Sequence, residues 1–206
     1  MNKVKRAKIV GDILSELFPN PAIPLKHSDA YTLLIAVLLS AQCTDERVNL
    51  ITPALFRAAN TPEKMAALPL ETIEYHIRPC GLTHTKARHI KTLSKMLVDD
   101  YDSTVPNVLT ELMKLPGVGR KTASVVLAQA FNQPAIGVDT HILRCTKRWK
   151  LSKSQTPLQT EQDLAKLYPK NMWQKIHLQI IYYGRTYCPA RGHQIEKCPI
   201  CQALAP

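Results

Sequence analysis

Leu115-Pro116-Gly117-Val118-Gly119-Arg120-Lys121-Thr122-Ala123 is the stretch that decides how this chain folds. Upstream, Val108, Leu109, Leu112 and Met113 place apolar side chains at helical spacing. Downstream, Ala123, Val126, Leu127, Ala130 and Phe131 recur at i, i+3, i+4, i+7 and i+8. Two helices joined by a tight Pro-Gly-Val-Gly turn are expected. Gly117 and Gly119 permit positive φ and let the backbone lie close to a ligand. The amides of the turn and of the next helix's first turn have no intrahelical acceptor, so they point outward as an anion site. A bare Gly-x-Gly between helices usually does no more than cap. Here Arg120 and Lys121 follow it directly, and phosphate is the anion such a site suits.

Working outward, the rest of the chain reads as helical too. Only 7 of 206 residues are glycine, and sustained β-branched alternation is rare. Thr61-Pro62-Glu63 reads as cap, first helical residue and dipole-favourable acid; Pro69 and Pro106 also look like helix starts. Helical segments are expected at about 4–18, 30–41, 45–58, 62–67, 70–78, 84–100, 107–115, 120–131, 140–149, 158–167 and 171–183. Tyr31 to Ala41 is the longest apolar run and fits a helix buried on most sides. Short helices joined by short turns make an all-α fold. Asn132-Gln133-Pro134-Ala135 is the best candidate for a crossing between lobes. The expected organisation is a helical-barrel lobe at 21–132 with the hairpin at about 108–131. A second lobe combines 1–20 with 133–206 and carries the cysteine-containing tail.

The formal charge of +11 suits a polyanion. A membrane surface would need a basic amphipathic helix with bulky aromatics, and the 3 Phe and 2 Trp are not so arranged. No apolar run reaches the roughly 18 residues of a spanning helix. Asp12 and Glu16 interrupt what a secretory signal requires, which points to the cytoplasm, where nucleic acid is the polyanion that such a charge suits. Six cysteines in such a compartment argue against a disulfide framework.

Lys121 opens the second helix of the hairpin. The positive end of the helix dipole and Arg120 beside it are unfavourable for an ammonium. That seat enriches the neutral amine needed for covalent attack, although a plain phosphate-binding lysine fits these residues equally well. Further on, Asp139 stands before Thr140-His141-Ile142-Leu143-Arg144 and reads first as a helix N-cap. An acid capping one helix and a lysine opening another could converge on one cleft.

The hairpin matches the helix-hairpin-helix motif of DNA-binding proteins. With Val138-Asp139-Thr140-His141, it resembles the signature of the endonuclease III family of DNA glycosylases. Leu38-Leu39-Ser40-Ala41-Gln42, Thr44-Asp45, Gly81-Leu82, Lys86-Ala87 and Gly184-Arg185 extend the similarity in one register over nearly the whole chain. The resemblance implies a base-excision enzyme, monomeric, acting on double-stranded DNA with damaged bases or abasic sites. In it, Lys121 attacks C1′ of an oxidised or ring-saturated pyrimidine nucleotide and Asp139 assists. β-Elimination then cleaves the strand 3′ to the lesion. Gly117, Val118, Gly119 and Arg120 hold phosphate. Gln42, Leu82 and His84 fill the gap that an extruded nucleotide leaves, with His84 standing where Asn or Tyr is more usual. Lys86, Arg88, Lys91 and Lys95, and Arg144, Lys147, Arg148 and Lys150, are candidate backbone contacts. A monofunctional adenine or thymine mismatch glycosylase and a non-catalytic binding module remain as alternatives.

Many relatives in this family end in a C-x6-C-x2-C-x5-C pattern that holds a [4Fe-4S] cluster with four thiolates. Counted from Cys188, the pattern expects cysteines at 195, 198 and 204, but the chain has Ile195, Cys198 and Leu204, with Cys201 additional. Three readings stay open: a cluster on an unusual set, a zinc-like site of Cys188, Cys198 and Cys201 with His193, or free thiols. The family's excision chemistry needs none of these cofactors.

Overall fold

The computed structural model of the chain describes residues 1–205; Pro206, the last residue of the expected second lobe, lies outside the described residues. Among the described residues there are helices and no strand. The chain forms two compact units, one of Met1–Ala22 with the chain from Gln133 onward, the other of Ile23–Asn132. No helix among the described residues is long and apolar enough to cross a membrane.

In the first unit α1 (Lys3–Leu17) starts on Asn2, whose side chain accepts from the Lys5 amide, and buries Ala7, Val10, Gly11 and Leu14 as one stripe. The second unit begins with α2 (Ala30–Leu39), capped by Asp29 through a capping box with Thr32. Every residue from Tyr31 to Leu39 is buried. At roughly 1.5–3 kcal/mol for each large aliphatic side chain removed from water, this helix is the centre around which the unit condenses.

Around it run α3 (Asp45–Ala58), α4 (Pro62–Ala67), α5 (Leu70–Ile77), a 3₁₀ turn at Arg78–Cys80 and α6 (Thr83–Asp100). The short α7 (Leu109–Leu112) and then α8 (Arg120–Phe131) follow. α2 packs on α8, while α4 and α5 pack on α6. Thr61 caps α4 by accepting from the Lys64 amide, with Pro62 in the first turn.

The expected helix at 107–115 is shorter than its apolar periodicity suggested. Val108 is extended and α7 covers a single turn, the chain from Thr104 to Asn107 before it being non-helical. Pro106 therefore precedes the helix without opening it.

The first unit resumes with α9 (Thr140–Arg148), α10 (Pro157–Leu167), a 3₁₀ turn at Lys170–Met172 and α11 (Trp173–Thr186). A 3₁₀ turn at Ile195–Lys197 and α12 (Pro199–Ala203) end it. Its core gathers Val10, Leu14, Ile142, Trp149, Ile180 and Tyr183 with Cys145, Cys188 and Cys198. Trp149 meets Tyr183 edge to face at 5.5 Å. The two chain ends meet in this unit, where Arg6 donates to the Leu204 carbonyl at 3.5 Å.

Candidate functional site

The hairpin turn is built by close packing on its inner side. Gly117 has φ +78, and a Cβ there would lie 2.7 Å from His89 Nδ1 and 3.0 Å from Leu38 Cδ1. Only glycine satisfies both the left-handed backbone and the approach of α2 and α6. Gly119 corrects the expectation made for it. Its φ is −88 and ψ 175, an ordinary extended conformation, and a Cβ there would meet nothing within 4 Å. The fold leaves that side open, and no contact within the chain calls for glycine at 119. Val118 turns its side chain inward (5% exposed) and so can offer a ligand only its backbone. α8 starts at Arg120, directly after Gly119, which has no side chain with which to cap its first turn. Lys121 is exposed there and Arg120 half-buried.

Beside the hairpin, the outer face of α6 lines a polar groove of about 300 Å³ with His84, Thr85, Arg88, His89 and Thr92. The two loops before α3 and α6 share an unusual backbone. Gln42 has φ 54 and Leu82 φ 50, left-handed for non-glycine residues, which costs each about 1–2 kcal/mol. Gln42 is exposed, and Leu82 is 56% exposed, a large apolar side chain at a loop tip. His84 is exposed and bonded through Nδ1 to Glu74 Oε1 at 2.6 Å. Glu74 had no part in the sequence reading. Nothing in its local pattern distinguishes it from other surface acids of α5.

In the other unit Asp139 is half-buried and caps α9, its carboxylate accepting from the Ile142 amide at 2.9 Å.

The basic residues divide by environment. Arg144 donates to the carbonyls of Cys188 (3.1 Å) and Gly184 (2.9 Å). Arg148 donates to Pro189 O at 2.6 Å and to Cys188 Sγ at 3.3 Å. Lys91 donates to Leu68 O, Lys95 lies 3.7 Å from Asp99, and Lys86 is buried at 4% exposure. Arg144, Arg148, Lys91 and Lys86 serve the fold; Lys95, Arg88, Lys147 and Lys150 remain on or near the surface.

The carbonyls gripped by Arg144 and Arg148 lead into the tail. Cys188, His193, Cys198 and Cys201 come together with one ligand atom each, all within 4.8 Å of one another. Cys201, counted as additional in the sequence, belongs to this group. Ile195 is 54% exposed, outside it, and Leu204 packs in the core at 8%. Nine residues separate Cys188 from Cys198, and the Cys-Pro-Ile-Cys spacing of 198–201 follows.

With no ion between them, the three thiols resist ionisation. Cys188 is pushed up to about 11, chiefly by its hydrogen bond with the Cys145 thiol. Cys198 rises to about 12 through its bond with the Cys188 thiol and then burial, and Cys201 to about 11 by burial. Tyr183 fixes the turn, its hydroxyl accepting from the Ile200 amide at 2.8 Å and lying 3.3 Å from Cys198 Sγ.

Against known proteins, residues 35–170 match the model of the HhH-GPD superfamily of base excision DNA repair proteins. Endonuclease III of Bacillus subtilis (strain 168) is 41% identical over 201 residues, spanning 97% of this chain and 92% of that protein. Endonuclease III of Escherichia coli (strain K12) is 41% identical over 200 residues, 97% of this chain and 94% of that one.

The chain belongs to the endonuclease III family.

A solved endonuclease III trapped as a covalent intermediate with DNA superposes with TM-score 0.93 at 44% identity, covering 97% of this chain and 94% of the other. Membership makes the protein a base-excision-repair DNA glycosylase of the helix-hairpin-helix type. A thermostable thymine-DNA glycosylase at 24% identity and TM-score 0.84 shares the fold.

In this endonuclease III family chain the tail can hold a metal. His193 Nε2 is buried with no hydrogen bond of ordinary geometry, a nitrogen lone pair or N–H left for something else. Three thiols and an imidazole are the donors of a structural tetrahedral site. Their span of up to 4.8 Å exceeds by about an ångström the roughly 3.8 Å that ligands take around one ion bound at about 2.3 Å, so small side-chain movements would close them on it. The four thiolates usual for an iron–sulfur cluster are not all among the gathered ligands.

Proposed function

We propose that this chain removes oxidised or ring-saturated pyrimidines from double-stranded DNA. It then cleaves the strand 3′ to the abasic site by β-elimination through an amine on Lys121. One observation carries the reading: an exposed lysine opens α8 directly after a hairpin whose inner side is packed shut and whose outer side is left open.

The hairpin amides and Arg120 take a backbone phosphate. Gln42, Leu82 and His84 fill the stack when the damaged nucleotide is turned out. The neutral amine of Lys121 attacks C1′ as the N-glycosidic bond breaks, and the base leaves with its electron pair and gains a proton. Asp139 accepts a proton from the attacking nitrogen and offsets positive charge developing on the sugar. The nitrogen lone pair then forms a double bond to C1′ while O4′ leaves that carbon and takes a proton, so the sugar ring opens to a protonated Schiff base. Abstraction of a C2′ proton then expels the 3′ phosphate, and water hydrolyses the imine to return the lysine.

Borohydride with a thymine-glycol duplex tests this by reducing the imine to a stable amine bond. A covalent adduct is expected, and Lys121→Gln abolishes it. Base release without an adduct would make the enzyme monofunctional, and an adduct surviving in Lys121→Gln would place the nucleophile elsewhere.

For the tail, the family's [4Fe-4S] cluster would here rest on Cys188, Cys198 and Cys201 with His193 as the non-thiolate ligand. The compact ligand spacing favours a single zinc-like ion on the same four residues, with no part in excision. Metal analysis with a visible spectrum separates the two: a colourless protein with one zinc supports the ion, and iron with sulfide-cluster absorbance supports the cluster.

A further inference from the structure

Lys86 is buried at 4% exposure, and no other Lys, Arg, Asp or Glu among the described residues is buried to that degree. Its Nζ donates to Leu39 O at 2.9 Å and to Cys80 O at 3.0 Å. Both carbonyls end helical segments, α2 and the 3₁₀ turn before α6, where the chain runs out of backbone donors and a cation is favoured. Burial lowers the lysine's proton affinity below its ordinary range, and the groups acting on it are the thiols of Cys80 and Cys43. An apolar side chain would be the easier resident of such a place. What the ammonium supplies is direction.

The chain leaves both carbonyls through strained backbone. Gln42 turns left-handed three residues after Leu39, and Gly81 and Leu82 directly after Cys80. Each loop presents an exposed side chain at that residue, Gln42 in one and Leu82 in the other. One ammonium thus anchors the roots of two loops that are otherwise joined only through more than thirty residues of intervening chain.

We propose that Lys86 is a positioning residue that sets the separation of Gln42 and Leu82, so that both enter the duplex together when a nucleotide is extruded. This rests on the gap-filling reading of those two side chains.

The test uses the full chain with Lys86→Met, which keeps the length and apolar stem and removes the donors. Two single-turnover rates are compared: base release from a paired thymine-glycol duplex, and strand cleavage at a preformed abasic site. The second has no base to draw out of the stack. Base release is expected to fall at least about tenfold, with cleavage falling about threefold or less, because only the first carries the full unstacking cost. A 2-aminopurine beside the lesion should lose its extrusion signal in parallel. A merely structural role lowers both rates by the same factor, following the folded fraction in thermal unfolding, and that result overturns the proposal. So does a folded variant with unchanged base release.

Gln42→Ala and Leu82→Ala separate the two ideas. If neither slows base release, the gap-filling reading fails. If both do and Lys86→Met does not, Lys86 alone is refuted. Should Lys86→Met not fold, Lys86→Gln, whose shorter amide keeps donors but not reach, must show the same split between the two rates.

Discussion

Replacing Asp139 by asparagine separates two jobs that one carboxylate performs in the proposed mechanism. In the structure it caps α9, accepting from the Ile142 amide at 2.9 Å. Asparagine is as good an N-cap as aspartate, so Asp139→Asn keeps this bond and loses the charge–dipole part of the cap, about 0.3–1 kcal/mol. Asp139→Ala loses the bond as well, about 0.5–2 kcal/mol in all for a typical cap. At roughly 2–4 °C per kcal/mol for a chain of this size, the asparagine variant should melt no more than about 4 °C below wild type. The alanine variant should melt lower still. Activity should not follow that order. If the carboxylate takes a proton from the attacking amine, both variants lose it equally, and single-turnover base release falls by about 10²–10⁴ in each. The assay is base release under excess enzyme beside thermal unfolding of the same preparations. Asp139→Asn that folds normally and releases base within about threefold of wild type would refute the reasoning, leaving Asp139 a cap and nothing more.

The two hairpin glycines should behave oppositely. Gly117→Ala forces a left-handed alanine against His89 and Leu38, and should cost about 2 kcal/mol or more in thermal unfolding; an unchanged melting point would refute that packing. Gly119→Ala meets nothing in the chain and should melt within a degree or so of wild type. Its affinity for duplex DNA should nevertheless drop, and equal binding in a titration would show the open face is not used. Cys201→Ala should remove the bound metal from elemental analysis and lower the melting temperature without abolishing borohydride trapping; retained metal would sink the ligand assignment. The Ser152 hydroxyl, 2.6 Å from Asp163, holds that carboxyl below the usual range. A depressed carboxyl stabilises above its unfolded pKa of about 3.9 and loses that contribution as pH falls through its folded value. Ser152→Ala should therefore raise the Asp163 titration in NMR and move acid unfolding to higher pH; an unmoved titration would refute the hydrogen bond as cause.

Most helices were legible because their signals are local. Thr61-Pro62 opens α4 and Asp139 caps α9, each within four residues of the backbone group it serves. Tyr31 to Leu39 reads as a buried helix because no polar face interrupts it. The tail was less legible. α12 and the turn before it have too few residues for a period, and the ligand group depends on how a nine-residue loop closes. The family pattern gives Cys201 no place, whereas the zinc-like set of Cys188, Cys198 and Cys201 with His193 names the residues that the structure brings together. Gly119 was misjudged for the opposite reason: its neighbour Gly117 needs a left-handed backbone, and the pair looked equivalent in sequence.

The basic residues show where the limit lies. On a helical pattern Lys86, Arg144 and Arg148 are indistinguishable from Arg88 and Lys147, since each is a cation in a positively charged chain. What separates them is the position of carbonyls far away in sequence: Leu39 lies 47 residues from Lys86, and Cys188 lies 44 from Arg144. A carbonyl at the end of a helix has no continuing amide and must find a donor, and a long side chain can reach it from another element, whether a cation as here or an amide, as Gln179 does for Leu14 and Phe18. Net charge therefore overstates the surface available to a polyanion. The salt dependence of DNA binding should follow the cations left outside, with Arg88→Ala reducing the slope of log affinity against log salt by about one. An unchanged slope in that variant would mean the groove on α6 does not meet phosphate.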